Sequence, residues 1–233
     1  MKTSRSIAKV TARTGFKEKY PENTLLAFRE ALNVGADRIE LDVHQSSDGA
    51  LVVHHYYNLG HTNDGEGLIF EQDSTYLRSL DAGSWFSPDF RGERIPFLEE
   101  VLEAFGDSIE YEVDLKGFSI EFLDAVLNLI RGYGLLDRAE FTSALPFLLA
   151  RLKQLEPDTT IGNLVQPFPD WMSLRLGQSI AKGHLLTGRV NVAHCPLRIL
   201  TQEYVCDLQE SGIRVHASNP DTEQELRAAF ELG

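Results

Sequence analysis

Short runs of aliphatic and β-branched residues alternate along the chain with longer stretches in which apolar residues recur every three or four positions. The short runs predict β-strands, because buried parallel strands consist of nearly continuous apolar residues. The predicted strands cover residues 7–12, 38–43, 109–115, 139–142, 160–165, 190–193 and 213–217. The longer stretches have the spacing of amphipathic helices. The predicted helices cover residues 25–32, 96–105, 120–132, 146–155, 170–182, 201–211 and 222–232.

These elements form seven consecutive strand–helix units, which is typical of an α/β fold with parallel strands. Seven units favour a TIM-type (β/α)8 barrel, and an open doubly wound sheet is the alternative. We expect one domain over residues 1–233, with a small insertion at about 44–95 after the second strand. Within the insertion, a short extended piece at 50–54 precedes irregular, glycine-rich chain. The eighth strand would follow Gly233 and is not present in this sequence.

Composition and charge narrow the classes of function. The 233 residues include 35 Asp and Glu against 22 Lys and Arg, for a formal net charge of -13. This balance argues against a nucleic-acid partner, because binding to a phosphate backbone depends on Lys and Arg. Two cysteines are too few for a secreted disulfide framework, and no apolar run approaches the roughly 20 residues of a membrane span. We therefore expect a cytoplasmic protein of unspecified oligomeric state.

Carboxylates alternate with apolar residues on two neighbouring predicted strands. Glu40 and Asp42 share one face of the second strand, and Glu112 and Asp114 share one face of the third, ahead of Lys116. Carboxylates on the inner face of a barrel are costly unless a cation compensates them. A hard divalent metal with oxygen ligands would do so. The alternative is an ion-paired layer inside the barrel.

Six motifs follow one another along the chain: Pro21-Glu22-Asn23-Thr24, residues 35–43 (GADRIELDV), residues 48–55 (DGALVVHH), residues 80–86 (LDAGSWF), residues 95–100 (IPFLEE) and Asp114-Leu115-Lys116. Together these motifs resemble the glycerophosphodiester phosphodiesterase family. The resemblance extends over nearly the whole chain. It implies a TIM-type barrel with an insertion after the second strand. It also implies hydrolysis of a small-molecule glycerophosphodiester to an alcohol and glycerol 3-phosphate, with Mg²⁺ or Ca²⁺ as cofactor.

By position in these motifs, Glu40, Asp42 and Asp114 match the family's metal ligands. His55 matches one of its two catalytic histidines, and Lys116 matches the lysine near the phosphate. A metal would polarise the phosphoryl oxygens, while imidazoles transfer protons near neutral pH. Further residues are expected to contact the substrate or support the site: Tyr56, His61, Trp85, Ser218 and Glu112.

The sequence also departs from the family pattern at several predicted strand ends. Arg13 stands where the resemblance implies the other catalytic histidine, Tyr56 where aspartate is usual, His61 where arginine is usual and Ser218 where tryptophan is common. A guanidinium keeps its proton at neutral pH and cannot act as a general base. The loss of one acid–base group typically lowers a rate by about 10²–10⁴-fold. Trp85 either lines the alcohol side of the substrate or packs the insertion.

Three hypotheses follow from these matches and departures. The first is a metal-dependent phosphodiesterase weakened by the change at Arg13. The second is a catalytically dead member that binds a phosphorylated ligand or a partner. The third is a barrel repurposed for different chemistry, naturally or by engineering, in which Lys116 and Tyr56 are available for carbonyl or proton-abstraction steps. Two further residues, Trp171 and Met172, are expected to be packed at the start of a helix.

Overall fold

The structure is a computed structural model that describes residues 9–220 and 222–232. By compactness, the described chain divides into an N-terminal unit of residues 9–141 and a C-terminal unit that begins at Thr142. The predicted first strand begins at Ile7, but residues 7 and 8 lie outside the described residues. Among the described residues, no helix combines the length and the apolar character that crossing a membrane requires.

The N-terminal unit is built around parallel strands connected by helices. Its strands are β1 (Thr11–Arg13), β2 (Arg38–Gln45), β3 (Leu51–Val53), β4 (Glu110–Leu115) and, at the boundary between the units, β5 (Ala139–Thr142). Its helices are α1 (Leu25–Asn33), α2 (Ser74–Ser79), α3 (Leu98–Phe105) and α4 (Ile120–Gly132). Strand β2 pairs in parallel with β1 on one side and with β4 on the other, while β3 pairs with β2 antiparallel.

The turn between β1 and α1 is fixed by its local sequence. After β1, Thr14 and Gly15 both adopt positive φ, and the turn leads into α1. A side chain at Gly15 would place its Cβ 2.7 Å from the Cβ of Ala27, so only glycine fits there. Thr24 caps α1 by accepting a hydrogen bond from the backbone N–H of Ala27. The helix then buries Ala27, Phe28 and Ala31 on the face toward the sheet.

The predicted insertion after β2 has a small apolar core of its own. The buried members of this core are Val52, Leu59, Ile69, Leu77, Leu80, Ala82, Ile95 and Phe97. The expected extended piece at 50–54 is β3, but the segment predicted to be irregular also contains α2, which Asp73 caps through the Tyr76 N–H. Sequence periodicity missed α2 because six residues make fewer than two helical turns.

The C-terminal unit repeats the strand–helix order. It contains α5 (Pro146–Leu155), β6 (Thr160–Leu164), α6 (Leu174–Thr187), β7 (Val192–Pro196), α7 (Gln202–Glu210), β8 (Arg214–Ser218) and α8 (Glu223–Leu232). Strand β7 pairs in parallel with both β6 and β8. Helix α6 begins four residues later than predicted, because Ser173 caps it by accepting the Leu176 N–H.

Candidate active site

Three buried carboxylates meet on β2 and β4 of the N-terminal unit. Parallel pairing places Asp42 opposite Asp114 and Glu40 opposite Glu112. One carboxylate oxygen from each of Glu40, Asp42 and Asp114 lies within 4.8 Å of the others. The structure therefore brings together the three residues that the sequence predicted as metal ligands, and their arrangement is a candidate metal site.

The charges of this cluster are only partly balanced by protein groups. The Lys116 Nζ lies 2.7 Å from Oδ2 of Asp114 and 3.1 Å from Oδ1 of Asp42. Burial would lower the pKa of Lys116, but these two carboxylates raise it above its usual value. Burial raises the pKa of Glu40 well above its usual range, and the charges of Asp42 and Glu112 raise it further. The cluster therefore holds more negative charge than Lys116 alone stabilises.

The carboxylate cluster fits a hard divalent cation. Its ligand atoms are all carboxylate oxygens, which Mg²⁺ and Ca²⁺ prefer. Oδ1 of Asp114 is buried and accepts no hydrogen bond within the described chain, while Oδ1 of Asp42 is buried with Lys116 Nζ 3.1 Å away. A buried oxygen without a donor is costly, and a cation at the cluster would satisfy Oδ1 of Asp114.

His55 is bound directly to the cluster. Its Nδ1 lies 3.0 Å from Oδ2 of Asp42, and the same oxygen accepts a hydrogen bond of 2.9 Å from Nδ2 of Asn23. Because a carboxylate only accepts, Nδ1 carries a proton and donates it to Asp42, which leaves Nε2 as the ring nitrogen that can accept. Burial would raise the pKa of Asp42, but the hydrogen bond from His55 and the charge of Lys116 hold it well below its usual value.

The neighbouring His54 has a structural role. Its Nδ1 donates to the carbonyl oxygen of Tyr56 at 2.7 Å, while its Nε2 accepts from Nδ2 of Asn63 at 3.0 Å. Burial lowers the pKa of His54 to about 4, so the ring is neutral at physiological pH. It ties the chain after β3 to the insertion and thereby positions His55.

Arg13 lies next to the cluster without being paired to it. The end of β1 places Arg13 opposite Glu40 in the parallel register. Within the described chain, however, no carboxylate forms an ion pair with its guanidinium. The side chain of Glu40 instead accepts the backbone N–H of Thr14 at 2.8 Å. The guanidinium still favours the charged form of Glu40 and opposes the rise of its pKa.

The predicted substrate contacts fall into different environments. Tyr56 stacks on His61 with ring centroids 4.6 Å apart, and its ring also meets that of His55 edge-on at 4.8 Å. His61 also helps to line an open cavity of about 620 Å³ formed by residues 58–68 of the insertion. Trp85 donates to the carbonyl oxygen of Ala82 and packs edge-on against Phe86. Its contacts thus lie within the insertion.

The last two predicted contacts are on strands. Glu112 is buried on β4, where its charge acts on Glu40. Ser218 is the last residue of β8 and pairs in register with Pro196 of β7. Ser218 belongs to the C-terminal unit.

Sequence reasoning missed two residues of the site. Glu22 is partly buried, and its Oε1 has no hydrogen-bond partner among the described residues. Burial raises the pKa of the Glu22 carboxyl, and the nearby His55 opposes this rise. The only sequence signal for Glu22 was its position directly before Asn23 in the motif of residues 21–24. Tyr57 donates its hydroxyl to the carbonyl oxygen of Lys116 at 2.9 Å. No local pattern indicates this contact, because it joins residues 59 positions apart.

The strands and the cluster define the class of protein: an α/β protein with a candidate divalent-metal site on its parallel strands and a histidine beside it. A family model described as the glycerophosphoryl diester phosphodiesterase family matches residues 14–233. The chain belongs to this family, as the sequence motifs predicted.

Curated relatives and solved structures agree with this assignment. A glycerophosphodiester phosphodiesterase of Caldanaerobacter subterraneus subsp. tengcongensis is 35% identical over 161 residues, which are 67% of this chain and 66% of that protein. One from Bacillus altitudinis is 39% identical over 110 residues, which are 47% of this chain and 45% of that protein. The matched parts therefore span less than two-thirds of these relatives.

The structural likeness extends over more of the chain. One similar structure is an Oleispira antarctica phosphodiesterase that was solved in complex with the product sn-glycerol-3-phosphate. Its TM-score is 0.86 at 27% identity, and the match covers 97% of this chain and 90% of that protein's chain. A glycerophosphodiester phosphodiesterase from Agrobacterium tumefaciens has a TM-score of 0.80 at 23% identity, covering 97% and 92%. This likeness confirms the predicted α/β fold of the TIM-barrel type and excludes the open doubly wound sheet.

Proposed function

We propose that this chain is a glycerophosphodiester phosphodiesterase that releases an alcohol and sn-glycerol 3-phosphate. The main observation in support is the buried cluster of Glu40, Asp42 and Asp114, to which His55 is hydrogen-bonded. Family membership supports the reaction class. The product in the Oleispira antarctica structure supports the identity of the phosphorylated product.

We propose that Glu40, Asp42 and Asp114 hold Mg²⁺ or Ca²⁺. When bound, such an ion supplies a Lewis acid that polarises the phosphoryl oxygens. The hydrogen bond from Asn23 keeps the Asp42 carboxylate oriented. The low pKa of Asp42 keeps that carboxylate ionised, and therefore able to bind a cation, well into acid solution.

His55 and Lys116 supply the remaining chemistry. The hydrogen bond to Asp42 fixes the ring of His55 and leaves Nε2 to exchange a proton with the substrate's leaving oxygen. The charge of Lys116, held by two carboxylates, stabilises negative charge on the phosphoryl group. Arg13 cannot replace an imidazole as a base, so the reaction depends on His55 and is slower than with two imidazoles.

We propose that the substrate's alcohol group lies against the insertion. Tyr56 connects His55 to His61, and His61 lines the cavity of residues 58–68. These rings offer an aromatic, partly polar surface for a small headgroup. Contacts of Trp85, Ser218 and Glu112 with the substrate, and action in the cytoplasm, stay predictions from the sequence.

The second candidate is a family member that binds a phosphorylated ligand without turnover. The guanidinium of Arg13 favours it, because a free guanidinium binds phosphate well but cannot take a proton. Repurposing for carbonyl chemistry is less consistent with the site. A nucleophilic lysine must lose its proton, whereas Asp42 and Asp114 raise the pKa of Lys116.

Hydrolysis of glycerophosphocholine in the presence of Mg²⁺ or Ca²⁺ tests the proposal. The expected result is slow release of choline that stops when a chelator removes the metal, and that is lost in the Asp42→Asn variant. The matched control is Glu99→Gln, which neutralises an exposed carboxylate at the start of α3 and should retain full activity. Binding of sn-glycerol 3-phosphate without any turnover would favour the second candidate. Turnover that survives the chelator would refute the metal-dependent reaction.

A further inference from the structure

The charge of this chain is unevenly distributed, and one long segment has no acidic residue. Residues 171–202 contain no Asp or Glu, although a stretch of this length would hold about five at the average of the chain. The same segment contains four basic residues, Arg175, Lys182, Arg189 and Arg198. A protein with a net charge of -13 thus has a positively charged region, and α6 lies within it.

Helix α6 also exposes apolar side chains on its outer side. Its inner side is defined by the buried residues Gly177, Ala181 and Leu185, which are four positions apart. Leu176 and Ile180 lie one turn apart on the opposite side and are 47% and 42% exposed. An ordinary surface helix carries charged or polar residues at these positions.

Further apolar side chains of α6 are exposed. Leu186 lies near the end of the helix on its outer side, while Leu174 is the first helical residue and lies on the side of the buried residues. Trp171, which precedes the helix, is 77% exposed, so the prediction that it packs at the helix start is wrong. Single exposed apolar residues are common and need no explanation. Leu176, Ile180 and Leu186 on the outer side of one helix, with Trp171 just before it, are more than such isolated residues.

The cations beside these side chains are available for binding. Arg175 and Arg189 are exposed and have no ion-pair partner among the residues that the structure describes. Lys182 is partly buried and pairs with Asp207. We define the α6 face as the apolar residues Trp171, Leu176, Ile180 and Leu186 with the cations Arg175 and Arg189.

We propose that the α6 face binds the surface of a membrane that contains anionic phospholipids. Leucine, isoleucine and tryptophan beside arginine are the composition of helices that lie in the membrane interface. The positive charge of the face complements anionic headgroups, whereas the rest of this acidic chain would be repelled by them. With 14 residues, α6 is too short to span a bilayer and would lie parallel to its surface.

Co-sedimentation with lipid vesicles tests this proposal with the full chain. Vesicles of phosphatidylcholine alone are compared with vesicles that also contain phosphatidylglycerol. The chain should bind the anionic vesicles, and the binding should weaken as salt screens the headgroups. Arg175→Gln and Arg189→Gln should each lower the partition coefficient about fivefold, the effect of one cation near an anionic surface. Ile180→Glu should lower it further, because it places a charge on the apolar side.

Matched variants separate the α6 face from net charge and folding. Val34→Glu adds the same negative charge at another exposed apolar position, 63% exposed at the end of α1, and should bind vesicles normally. Arg151→Gln removes a partly buried cation from α5 and should also bind normally. Circular dichroism should show unchanged helical content in every variant.

Three results would overturn the proposal. They are equal binding to neutral and anionic vesicles, no effect of Ile180→Glu, and equal losses in Ile180→Glu and Val34→Glu. Size-exclusion chromatography identifies the competing occupant. If the chain does not bind vesicles and is a dimer that Ile180→Glu converts to a monomer, the α6 face joins two copies and the membrane proposal is wrong.

Discussion

Replacing Arg13 by histidine should raise the rate of phosphodiester hydrolysis. Arg13 ends β1 directly opposite Glu40, beside the carboxylate cluster, and its guanidinium forms no ion pair with a described residue. The backbone after it is fixed by the left-handed conformations of Thr14 and Gly15, so a new side chain at position 13 starts from a defined position. An imidazole there would supply the second acid–base group that the family motif implies.

The expected size of the effect follows from general acid–base catalysis. One positioned imidazole contributes about 10²–10⁴-fold in rate, which corresponds to about 2.7–5.4 kcal/mol of the activation barrier. The change in folding stability should be small, within about 0.5 kcal/mol, because no ion pair of Arg13 is broken. The loss of its positive charge should also allow the pKa of Glu40 to rise further. The variant should therefore need more metal for half-maximal activity than the parent chain.

The assay is kcat/KM for glycerophosphocholine over a range of Mg²⁺ and Ca²⁺ concentrations, with thermal unfolding as a check on folding. Arg13→Gln is the matched control, because it removes the charge without adding an imidazole, and it should not gain activity. An Arg13→His variant that folds and binds metal but is no faster would refute the acid–base argument. Equal gains in both variants would mean that the guanidinium merely blocks the site. Losses in both would mean that Arg13 binds the phosphate.

Three further predictions concern stability. Gly15→Ala should lower the free energy of unfolding by more than the roughly 1–3 kcal/mol of backbone strain alone, because the new Cβ would lie 2.7 Å from that of Ala27. Gly134→Ala, also at positive φ but with nothing within 4 Å, should cost only the strain. Urea unfolding compares the two variants, and equal losses of stability would contradict the steric argument. Lys116→Met should destabilise the chain by about 3–5 kcal/mol without metal, because it leaves the carboxylates of Asp42 and Asp114 without their cation. Ca²⁺ should restore part of this stability, and a loss that Ca²⁺ leaves unchanged would count against metal binding. The pKa of His54 is about 4 when folded and near 6.5 when unfolded, so the unfolded chain takes up this proton first and stability should fall by up to about 3 kcal/mol from pH 6.5 to pH 4. His54→Gln should remove that part of the pH dependence, and an unchanged slope would refute the assignment.

Most of the fold could be predicted from the sequence because its signals are local. Every predicted strand and helix within residues 9–220 and 222–232 corresponds to an observed element, and most bounds agree within two or three residues. The exceptions have local causes. Helix α6 starts at its Ser173 cap instead of at Asp170, and α2 is too short to show a helical period. The hydrogen bonding of β7 continues to Pro196, beyond its apolar run.

Two kinds of sequence signal predicted the candidate site. Alternation along each strand placed Glu40 with Asp42 and Glu112 with Asp114, and the motif matches implied the roles of His55 and Lys116. The contacts that hold His55 and Lys116 depend instead on which strands are neighbours and on their register. Residue spacing contains no information about the distance from His55 to Asp42. The same reason explains why Glu22 was missed, since only the folded chain shows its unpaired oxygen.

The balance of charge in the cluster connects its stability to its function. Lys116 contacts Asp42 and Asp114 but not Glu40, whose pKa is raised by burial and by neighbouring carboxylates. Without metal, the chain can lower its electrostatic energy by keeping a proton on Glu40. A cation at the cluster would displace that proton, so metal binding should release protons and strengthen as pH rises. Arg13 acts in the same direction as a cation, because it favours the charged form of Glu40. The residue at the position of the expected catalytic histidine would therefore have two opposite effects: it lacks a base for proton transfer, and it favours the charged form of Glu40, the proposed metal ligand.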